Sequence, residues 1–578
     1  MRDNWLGPSE LRVGLGCMRL STDEDRDEER ALATIAAAAA SGVTVFDTAH
    51  AYGLGPEELG HNERLLVRAL RACGRLERAR IVTKGGMTRK GDAWAPDGRA
   101  KTLRAHCEES LAALDGAAID LYLLHAPDPR TPWRTSVRAL ARLAEEGLVR
   151  RVGLSNVNRM QLDEALELAP ITAVQVAVSP FEDRALRGGV VDRCAERGIV
   201  LIAHSPLGGP RLAPRLPRDR LLSEVADAHG ATAAEIALAW LLSLGPHVLA
   251  IPGARRPGTA RSAARAAGIA LTTRERAALD RAFGAARPAS TGARRRSRRD
   301  GGEVVLVMGV PGAGKSRLAE ELVARGYLRL NRDERGGSLR GLTYALDETL
   351  EAGARQVVLD NTYLTRASRS YVLETASRHG LPARCVWLDT PLAQAQVNMV
   401  VRLLDRYGEI PAPDRLAEVA RREPGVLTPT RQMRAFRELE PPTDNEGFAS
   451  VERVAWARAR GEGAAGVFVA ASAIARLPAA DTDPSAPHLV FDWRPGGGVG
   501  ELDDALSKVA GMVAGPVEAT VCPHPGGAPI CWCRPPLPGL PLAFARKHGV
   551  DPARSILVGS STAHRTLAKV LGARFVEA

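Results

Sequence analysis

"EVVLVMGVPGAGKS", residues 303–316, runs an apolar stretch straight into a glycine-rich turn and is followed by the helix-like "RLAEELVARG". Strand, Gly309-x4-Gly314-Lys315-Ser316 and helix in that order predict a phosphate-binding loop in an α/β domain. Gly309, Gly312 and Gly314 let backbone N–H groups face phosphates, and the helix N-terminus favours negative charge. Lys315 can reach the β- and γ-phosphates of ATP, and the Ser316 hydroxyl can hold Mg²⁺.

Working outward, "ARPASTGARRRSRRD" at 286–300 carries five arginines within 294–299 and reads as a solvated linker. A softer boundary falls at the paired prolines of "ELEPPTDNEG", 438–447. The expected units are therefore a domain over 1–286, a linker over 287–300, a P-loop domain over 301–445 and a last domain over 446–578. Upstream of the linker, short apolar runs alternate with amphipathic stretches: "LRVGLG" (11–16), "VTVFDT" (43–48), "ARIVTK" (79–84), "IDLYLLH" (119–125), "VRRVGLS" (149–155), "AVQVAV" (173–178), "IVLIAH" (199–204) and "HVLAIP" (247–252). Continuous apolar strands separated by helices imply a parallel sheet buried on both faces. Eight of them suffice to close a (β/α)8 TIM barrel.

Length and composition agree with a multidomain globular protein. The chain has 578 residues, 45% of them hydrophobic and 25% charged. Its longest apolar run, "ALATIAAAAA" at 31–40, is too short to span a bilayer, and "MRDNWLGPSE" has no signal-peptide core. A cytoplasmic protein that does not engage membranes is expected. The net charge of +11 invites a nucleic-acid partner, yet arginine supplies nearly all of it and is spread along the whole chain. Only seven of the 78 basic residues are lysines, and two of the seven, Lys84 and Lys315, fall in the two principal motifs. Eight cysteines, five of them scattered singly, argue against a disulfide scaffold.

In barrels of this kind chemistry sits at the carboxyl ends of the strands. Asp47 closes "VFDT", Tyr52 follows in its loop, Lys84 closes "IVTK" and His125 closes "LYLLH". An Asp beside a Lys and a Tyr is a proton-transfer device, in which the ammonium is expected to lower the phenol pKa and the carboxylate to keep the lysine charged. The motifs "FDTAHAYG" (46–53), "IVTKGG" (81–86), "DLYLLHAPDP" (120–129) and "RRVGLSNV" (150–157) resemble the aldo-keto reductase family over residues 10–284. The resemblance implies that Tyr52 is the general acid toward a small-molecule carbonyl substrate, with Asp47, Lys84 and His125 in support, and that the cofactor is NADPH. It further implies that Ser155, Asn156 and Gln175 hold the nicotinamide amide. His204, in place of the usual stacking aromatic, and Ser205, Leu207 and Gly208 would form the loop at the pyrophosphate. Arg255 and Arg256 would grip a 2′-phosphate. The acidic-then-Asn pair usual near the adenine reads Ser262 and Ala263 here.

Downstream of the phosphate loop, "LNRDERGGSL" (330–339) and "QVVLDNTYLTRASR" (356–369) resemble the kinase module of polynucleotide kinase/phosphatase proteins. The resemblance implies that Asp333 is the general base, that Asp360 lies near Mg²⁺ or the acceptor, and that "NMVVRLLDRYGEIP" (398–411) is a lid helix carrying Arg402 toward the transferring phosphoryl.

"CPHPGGAPICWC" sets Cys522, His524, Cys531 and Cys533 in paired arms, a donor set suited to one structural Zn²⁺. This segment and the remainder resemble zinc-containing phosphatases of the haloacid dehalogenase superfamily. The catalytic carboxylates of that superfamily are missing from "GVFVAASA" (466–473) and "VGSSTAH" (558–564). Asp492 is a possible substitute nucleophile, but its i+2 neighbour is Arg494. A phosphatase fold that has lost its phosphatase is expected. Two functions follow: a carbonyl reductase joined to an ATP-dependent kinase, or a nucleic-acid end-repair protein whose kinase acts on 5′-hydroxyl ends.

Overall fold

Strands buried on both faces read as unbroken apolar runs, and the first half of the chain folds along those runs. The computed structural model, which describes residues 5–7, 10–90, 93–285, 302–457, 461–479 and 482–578, comprises two compact units, Met1–Pro288 and Ala289–Ala578. The Arg-rich linker expected over 287–300 lies outside the described residues.

In the first unit, β1 (Leu15–Gly16), β2 (Val45–Asp47) and β3 (Arg80–Gly85) are followed by a hairpin of β4 (Met87–Lys90) and β5 (Ala93–Pro96). Then come β6 (Leu121–Leu124), β7 (Val152–Ser155), β8 (Ile171–Ala177), β9 (Val200–His204) and β10 (Val248–Ile251). Apart from the hairpin, the strands form one parallel sheet in the order β1-β2-β3-β6-β7-β8-β9-β10. The Gly14 N–H donates to Ala250 O at 2.8 Å and the Gly16 N–H to Pro252 O at 3.0 Å, which brings the last strand against the first. The result is an eight-stranded, nearly closed barrel. Val45, Val82, Leu121, Leu123, Ile202 and Leu249 fill its interior together with Trp5. The alanine-rich run lies in the helix Glu28–Ala40, which Asp27 caps by accepting from the Arg30 N–H. Thr232 with Glu235, and Thr272 with Glu275, form reciprocal capping boxes at two later helices.

The second unit contains two parallel sheets. The first joins β11 (Glu303–Met308), β12 (Leu328–Leu330), β13 (Gln356–Asp360), β14 (Ala383–Asp389) and β15 (Ser450–Ala455) in the order β12-β13-β11-β14-β15. β15 pairs with β14 from Ser450 to Ala455, so the first sheet extends past the boundary expected at 445. The second sheet joins β16 (Val467–Ala470), β17 (His488–Trp493), β18 (Val517–Cys522), β19 (Ile556–Gly559) and β20 (Arg574–Glu577) in the order β18-β17-β16-β19-β20. In both sheets the first strand in sequence is central, with strands added on either side, and ligands in such sheets bind outside the carboxyl ends near that reversal.

The expected lid over 398–411 has a different character. It belongs to the helix Leu392–Tyr407, whose Met399, Val400, Leu403 and Leu404 are buried in one core with Val467, Phe468, Phe491, Trp532 and Phe544 of the second sheet's layers. The face carrying these four residues is thus packed, and the segment over 398–411 that the resemblance implies is a lid has its helical part seated on that core.

Candidate active sites

The first site stands at the carboxyl ends of the barrel strands. Asp47 ends β2, Lys84 lies in β3, Tyr52 follows β2 in its loop and His125 follows β6 directly. Lys84 is only 1% exposed and Asp47 3%. Lys84 Nζ donates to Asp47 Oδ2 at 2.7 Å, to Thr48 O at 2.8 Å and to Tyr52 Oη at 3.3 Å. Gln175 Nε2 donates to the other Asp47 oxygen at 2.6 Å. Burial would lower the Lys84 pKa, but Asp47 and Tyr52 outweigh it and hold the ammonium above its ordinary range. Burial raises the Tyr52 pKa, and the opposing pull of Lys84 is too weak to reverse this. The ammonium does lower the phenol pKa, as its place beside Tyr52 implies, but desolvation of the phenolate outweighs that pull and the net shift is upward. His125 is driven well below the usual imidazole range by burial and then by Lys84, so its ring is neutral. Its ring meets that of Tyr52 edge-on at 5.7 Å.

A second row borders this one. Ser155 ends β7, Asn156 adopts φ +59°, His204 ends β9 and Ser205 adopts φ +50°. Asn156 Nδ2 donates to His125 O at 3.0 Å and to Ser155 Oγ at 3.1 Å. His204 Nε2 donates to Asn156 Oδ1 at 3.1 Å, which leaves Nδ1 to accept from Ser205 Oγ at 3.2 Å. The His204 pKa is pushed down to about 4 by burial and by Lys84, so this ring too is neutral. Leu207 packs against the barrel core, and Gly208 has φ +81° and no room for a side chain, since a Cβ there would meet the Phe181 ring at 2.5 Å. The polar donors and acceptors of Ser155, Asn156, Gln175, His204 and Ser205 at these neighbouring strand ends fit a nicotinamide amide. Arg255 is not a free clamp: it pairs with Asp25 at 2.8 Å and Asp23 at 3.2 Å. Arg256 is exposed beside it, at the start of the helix Pro257–Arg265. Ser262, at the expected adenine position, donates to Glu235 at 2.8 Å.

Trp94, on β5, was not anticipated from the sequence. Its ring lies 6.1 Å from Tyr52 and 6.2 Å from His125, so it completes an aromatic rim around Tyr52. The Arg89 guanidinium stacks on it at 4.4 Å. An exposed aromatic in a polar hairpin next to "IVTKGG" was the available signal.

The second site surrounds the phosphate loop. Gly309, Gly312 and Gly314 have φ of +153°, +87° and +94°, and Ser316 is exposed in the first turn of the helix Lys315–Val323. Lys315 Nζ donates to Gly309 O and Val310 O, both at 3.0 Å. Burial lowers its pKa to about 8, with Asp360 opposing and Arg402 adding to the shift. A Cβ at Gly312 would meet Ala395 O at 2.5 Å, whereas Gly314 faces open space. This is a cradle that fits a polyphosphate. A cavity of about 520 Å³ adjoins it, lined by Gly312, Gly314, Asn398, Val401, Arg402 and Asp405. Arg402 reaches Gly425 O at 3.0 Å. Asp360, at the end of β13, pairs with Arg329 at 2.5 Å and accepts from Asn331 at 3.1 Å. Asp333 is exposed in the short helix Arg332–Arg335, whose Asn331 cap ties it to Asp360.

The third cluster gathers Cys522, His524, Cys531 and Cys533, with all donor atoms within 4.8 Å of one another. Cys522 Sγ lies 3.6 Å from Cys531 Sγ and 3.4 Å from Cys533 Sγ, and His524 Nδ1 lies 3.2 Å from Cys533 Sγ. Zinc–sulfur bonds of about 2.3 Å in a tetrahedron require sulfurs about 3.8 Å apart. The donor set and its spacing fit one Zn²⁺. In the same sheet Ser472 and Ser560 share a hydrogen bond at 2.6 Å, and Asp492 pairs with Arg494 at 3.0 Å.

Among the described residues no helix is long and apolar enough to cross a membrane. Residues 304–422 match an AAA domain, and residues 12–283 match the aldo/keto reductase family. The aldo-keto reductase str7 of Strobilurus tenacellus is 31% identical over 286 residues, 44% of this chain and 81% of that protein. An uncharacterized oxidoreductase of Schizosaccharomyces pombe is 33% identical over 274 residues, 46% of this chain and 85% of that protein. The structure of an aldo/keto reductase from Klebsiella pneumoniae in complex with NADP and acetate is 28% identical, covers 47% of this chain and 91% of that chain, and has a TM-score of 0.41. The protein carries an oxidoreductase barrel ahead of a P-loop domain, and through that barrel the chain belongs to the aldo/keto reductase family.

Proposed function

We propose that the barrel reduces a small-molecule carbonyl with NADPH and that the second unit transfers a phosphoryl group from ATP with Mg²⁺ to a hydroxyl acceptor, both in the cytoplasm. The buried hydrogen-bonded row Asp47–Lys84–Tyr52 carries the reductase reading. Lys84 donates to Tyr52 Oη, so the phenol hydrogen faces the mouth and can pass to a carbonyl oxygen as that oxygen gains charge. The same ammonium then stabilises the phenolate left behind. Asp47 keeps Lys84 charged, and Gln175 fixes the second Asp47 oxygen. Neutral His125 orients the carbonyl oxygen. Ser155, Asn156, Gln175, His204, Ser205, Leu207, Gly208 and Arg256 would hold NADPH, with Arg255 joining if it leaves Asp23 and Asp25. When bound, NADPH supplies the hydride. Purified protein should consume NADPH with 4-nitrobenzaldehyde, and no consumption would overturn the assignment.

In the second unit, Asp333 would take the proton of the acceptor hydroxyl, Asp360 would face Mg²⁺ or the acceptor, and Arg402 would meet the transferring phosphoryl across the cavity. The acceptor is either the reductase's alcohol product or a 5′-hydroxyl nucleic acid or nucleotide, and the five arginines at 294–299, which a solvated linker equally explains, tilt slightly towards a nucleotide-like acceptor. Cys522, His524, Cys531 and Cys533 would hold structural Zn²⁺ in a haloacid dehalogenase-like domain without its phosphatase chemistry. Labelled ATP offered with both acceptor classes separates the two acceptor readings.

A further inference from the structure

Three side chains outside the Gly309–Ser316 motif hold the carbonyls of the phosphate loop. Gln432 Nε2 donates to Pro311 O at 2.9 Å, Asn398 Nδ2 to Gly312 O at 2.8 Å and Thr390 Oγ1 to Ala313 O at 3.2 Å. Three consecutive carbonyls thus point into protein. In a planar trans peptide the C=O of one residue and the N–H of the next are antiparallel. Fixing Pro311 O and Ala313 O therefore turns the Gly312 and Gly314 N–H groups the opposite way, and both glycines line the cavity. The Ala313 N–H closes a turn onto Val310 O at 3.1 Å.

Two of the three side chains ride on helices fastened elsewhere. Asn398 lies on Leu392–Tyr407, whose other face is buried among Phe468, Phe491 and Trp532. Gln432 is fully buried on the helix Pro429–Glu438, and it also donates to Ala395 O at 2.8 Å. The entry to that helix is clasped by the cysteine loop: Trp532 Nε1 donates to Leu427 O at 3.1 Å, and Thr430 Oγ1 donates to Pro529 O at 2.7 Å. Trp532 is itself fully buried and sits between Cys531 and Cys533. A continuous path of packed and hydrogen-bonded groups thus runs from the Cys/His cluster through Trp532, Leu427 and Gln432 to Pro311.

We propose that Gln432 and Asn398 are positioning residues for the phosphate loop, and that closure of the Cys/His cluster around Zn²⁺ sets them, so that zinc and nucleotide each favour the other's binding. The inference rests on the reading of 303–316 as a nucleotide-binding loop. Coupling of this kind is reciprocal, which gives two independent readouts. The first is the affinity of the full-length chain for Mg²⁺·ATP by calorimetry, in wild type, Gln432→Met and Trp532→Phe. Gln432→Met keeps the volume and removes the donor, and Trp532→Phe keeps a ring and removes the indole N–H. Each should weaken binding about five-fold, the effect of one neutral hydrogen bond. Gln432→Glu, which lacks the donor pair, should not restore it, whereas Asn398→Gln should retain more affinity than Asn398→Ala. Thermal unfolding confirms that each variant is folded. The second readout is zinc release to a chromogenic chelator, which saturating Mg²⁺·ATP should slow in wild type and slow less in Trp532→Phe. Equal affinities in wild type, Gln432→Met and Trp532→Phe would overturn the positioning role while leaving the loop reading intact. Release at one rate with and without nucleotide, or a wild-type chain that holds no zinc, would overturn the coupling. A wild-type chain that does not bind Mg²⁺·ATP would overturn the loop reading and this inference with it.

Discussion

Replacing Tyr52 by Phe should separate catalysis from stability. The phenol oxygen accepts from Lys84 Nζ at 3.3 Å, a long contact, while Lys84 keeps Asp47 at 2.7 Å and Thr48 O at 2.8 Å. Losing the hydroxyl should therefore cost at most about 1 kcal/mol of stability, or about 2–4 °C in Tm for a unit of this size. Catalysis loses its acid, worth about 10²–10⁴-fold in rate, which is about 3–5 kcal/mol in the barrier. Asp47→Asn should behave differently: it strips the countercharge from an ammonium that is 1% exposed, and removing one partner of a buried pair costs about 3–5 kcal/mol of stability. The assay is NADPH consumption with a saturating aldehyde, beside thermal unfolding of the same preparations. Because burial raises the Tyr52 pKa, the phenol stays protonated through neutral pH, and the wild-type rate should show no loss from its ionisation below about pH 10. A Tyr52→Phe chain that keeps more than about a tenth of kcat/KM would refute the assignment of the acid.

Arg255→Ala combined with Arg256→Ala should raise the KM for NADPH about ten-fold or more relative to NADH, given the strength of charged hydrogen bonds; equal changes for both cofactors would make these arginines surface residues. Lys315→Ala should weaken Mg²⁺·ATP binding, whereas Asp333→Asn should leave binding in place and stop transfer; transfer surviving in Asp333→Asn would exclude that base. With the Lys315 pKa lowered to about 8, the free ammonium is lost as pH rises through that value, so affinity for ATP should be highest below it and fall above it, with proton uptake on binding visible in buffers of different ionisation enthalpy. The protein should copurify with about one zinc, and Cys531→Ser with Cys533→Ser should lose it and expose the second unit to proteolysis while reductase turnover persists.

The barrel was legible because its strands are buried on both faces and so appear as unbroken apolar runs, each ended by the residue that reaches the mouth. What was not legible depends on partners distant in sequence. Arg255 meets Asp23 and Asp25 some 230 positions away, and nothing in "IPGARRPG" announces it. The β4–β5 hairpin, and Trp94 with it, was hidden because neither "MTRK" nor "AWAP" alternates apolar with polar residues as a half-buried strand does. The lid role of 398–411 came from resemblance alone, and the packing of Met399, Val400, Leu403 and Leu404 on a core built from residues beyond 466 is not readable from that stretch. The net direction of the Tyr52 shift was not legible for a related reason. A lysine can be read beside Tyr52, but the depth of burial that outweighs it cannot.

The C-terminal sheet has a well-packed core and few free carboxylates at its strand ends. At the carboxyl ends of β16 and β19 stand Ser472 and Ser560, bonded to each other, and at the end of β17 the Asp492 carboxylate is neutralised by Arg494. Among the described residues at these strand ends there is no pair of unpaired carboxylates to hold Mg²⁺ beside a nucleophile, an arrangement that metal-assisted phosphoryl transfer to an aspartate requires. Phe468, Phe491, Trp532 and Leu557 are nonetheless fully buried, and Trp532 donates to Leu427 O. A core of that quality is needed if the sheet's task is mechanical. The helices bearing Asn398 and Gln432 can hold the phosphate loop to within a hydrogen bond's tolerance only if their far faces are rigidly packed. Cavity-forming changes far from the nucleotide then test the argument. Phe491→Ala should destabilise the second unit by about 3–5 kcal/mol and weaken Mg²⁺·ATP binding at temperatures where the chain is still folded. Ser560→Ala, which touches the strand ends alone, should leave ATP affinity unchanged, and a loss of affinity in that variant would show that these hydroxyls have a role of their own.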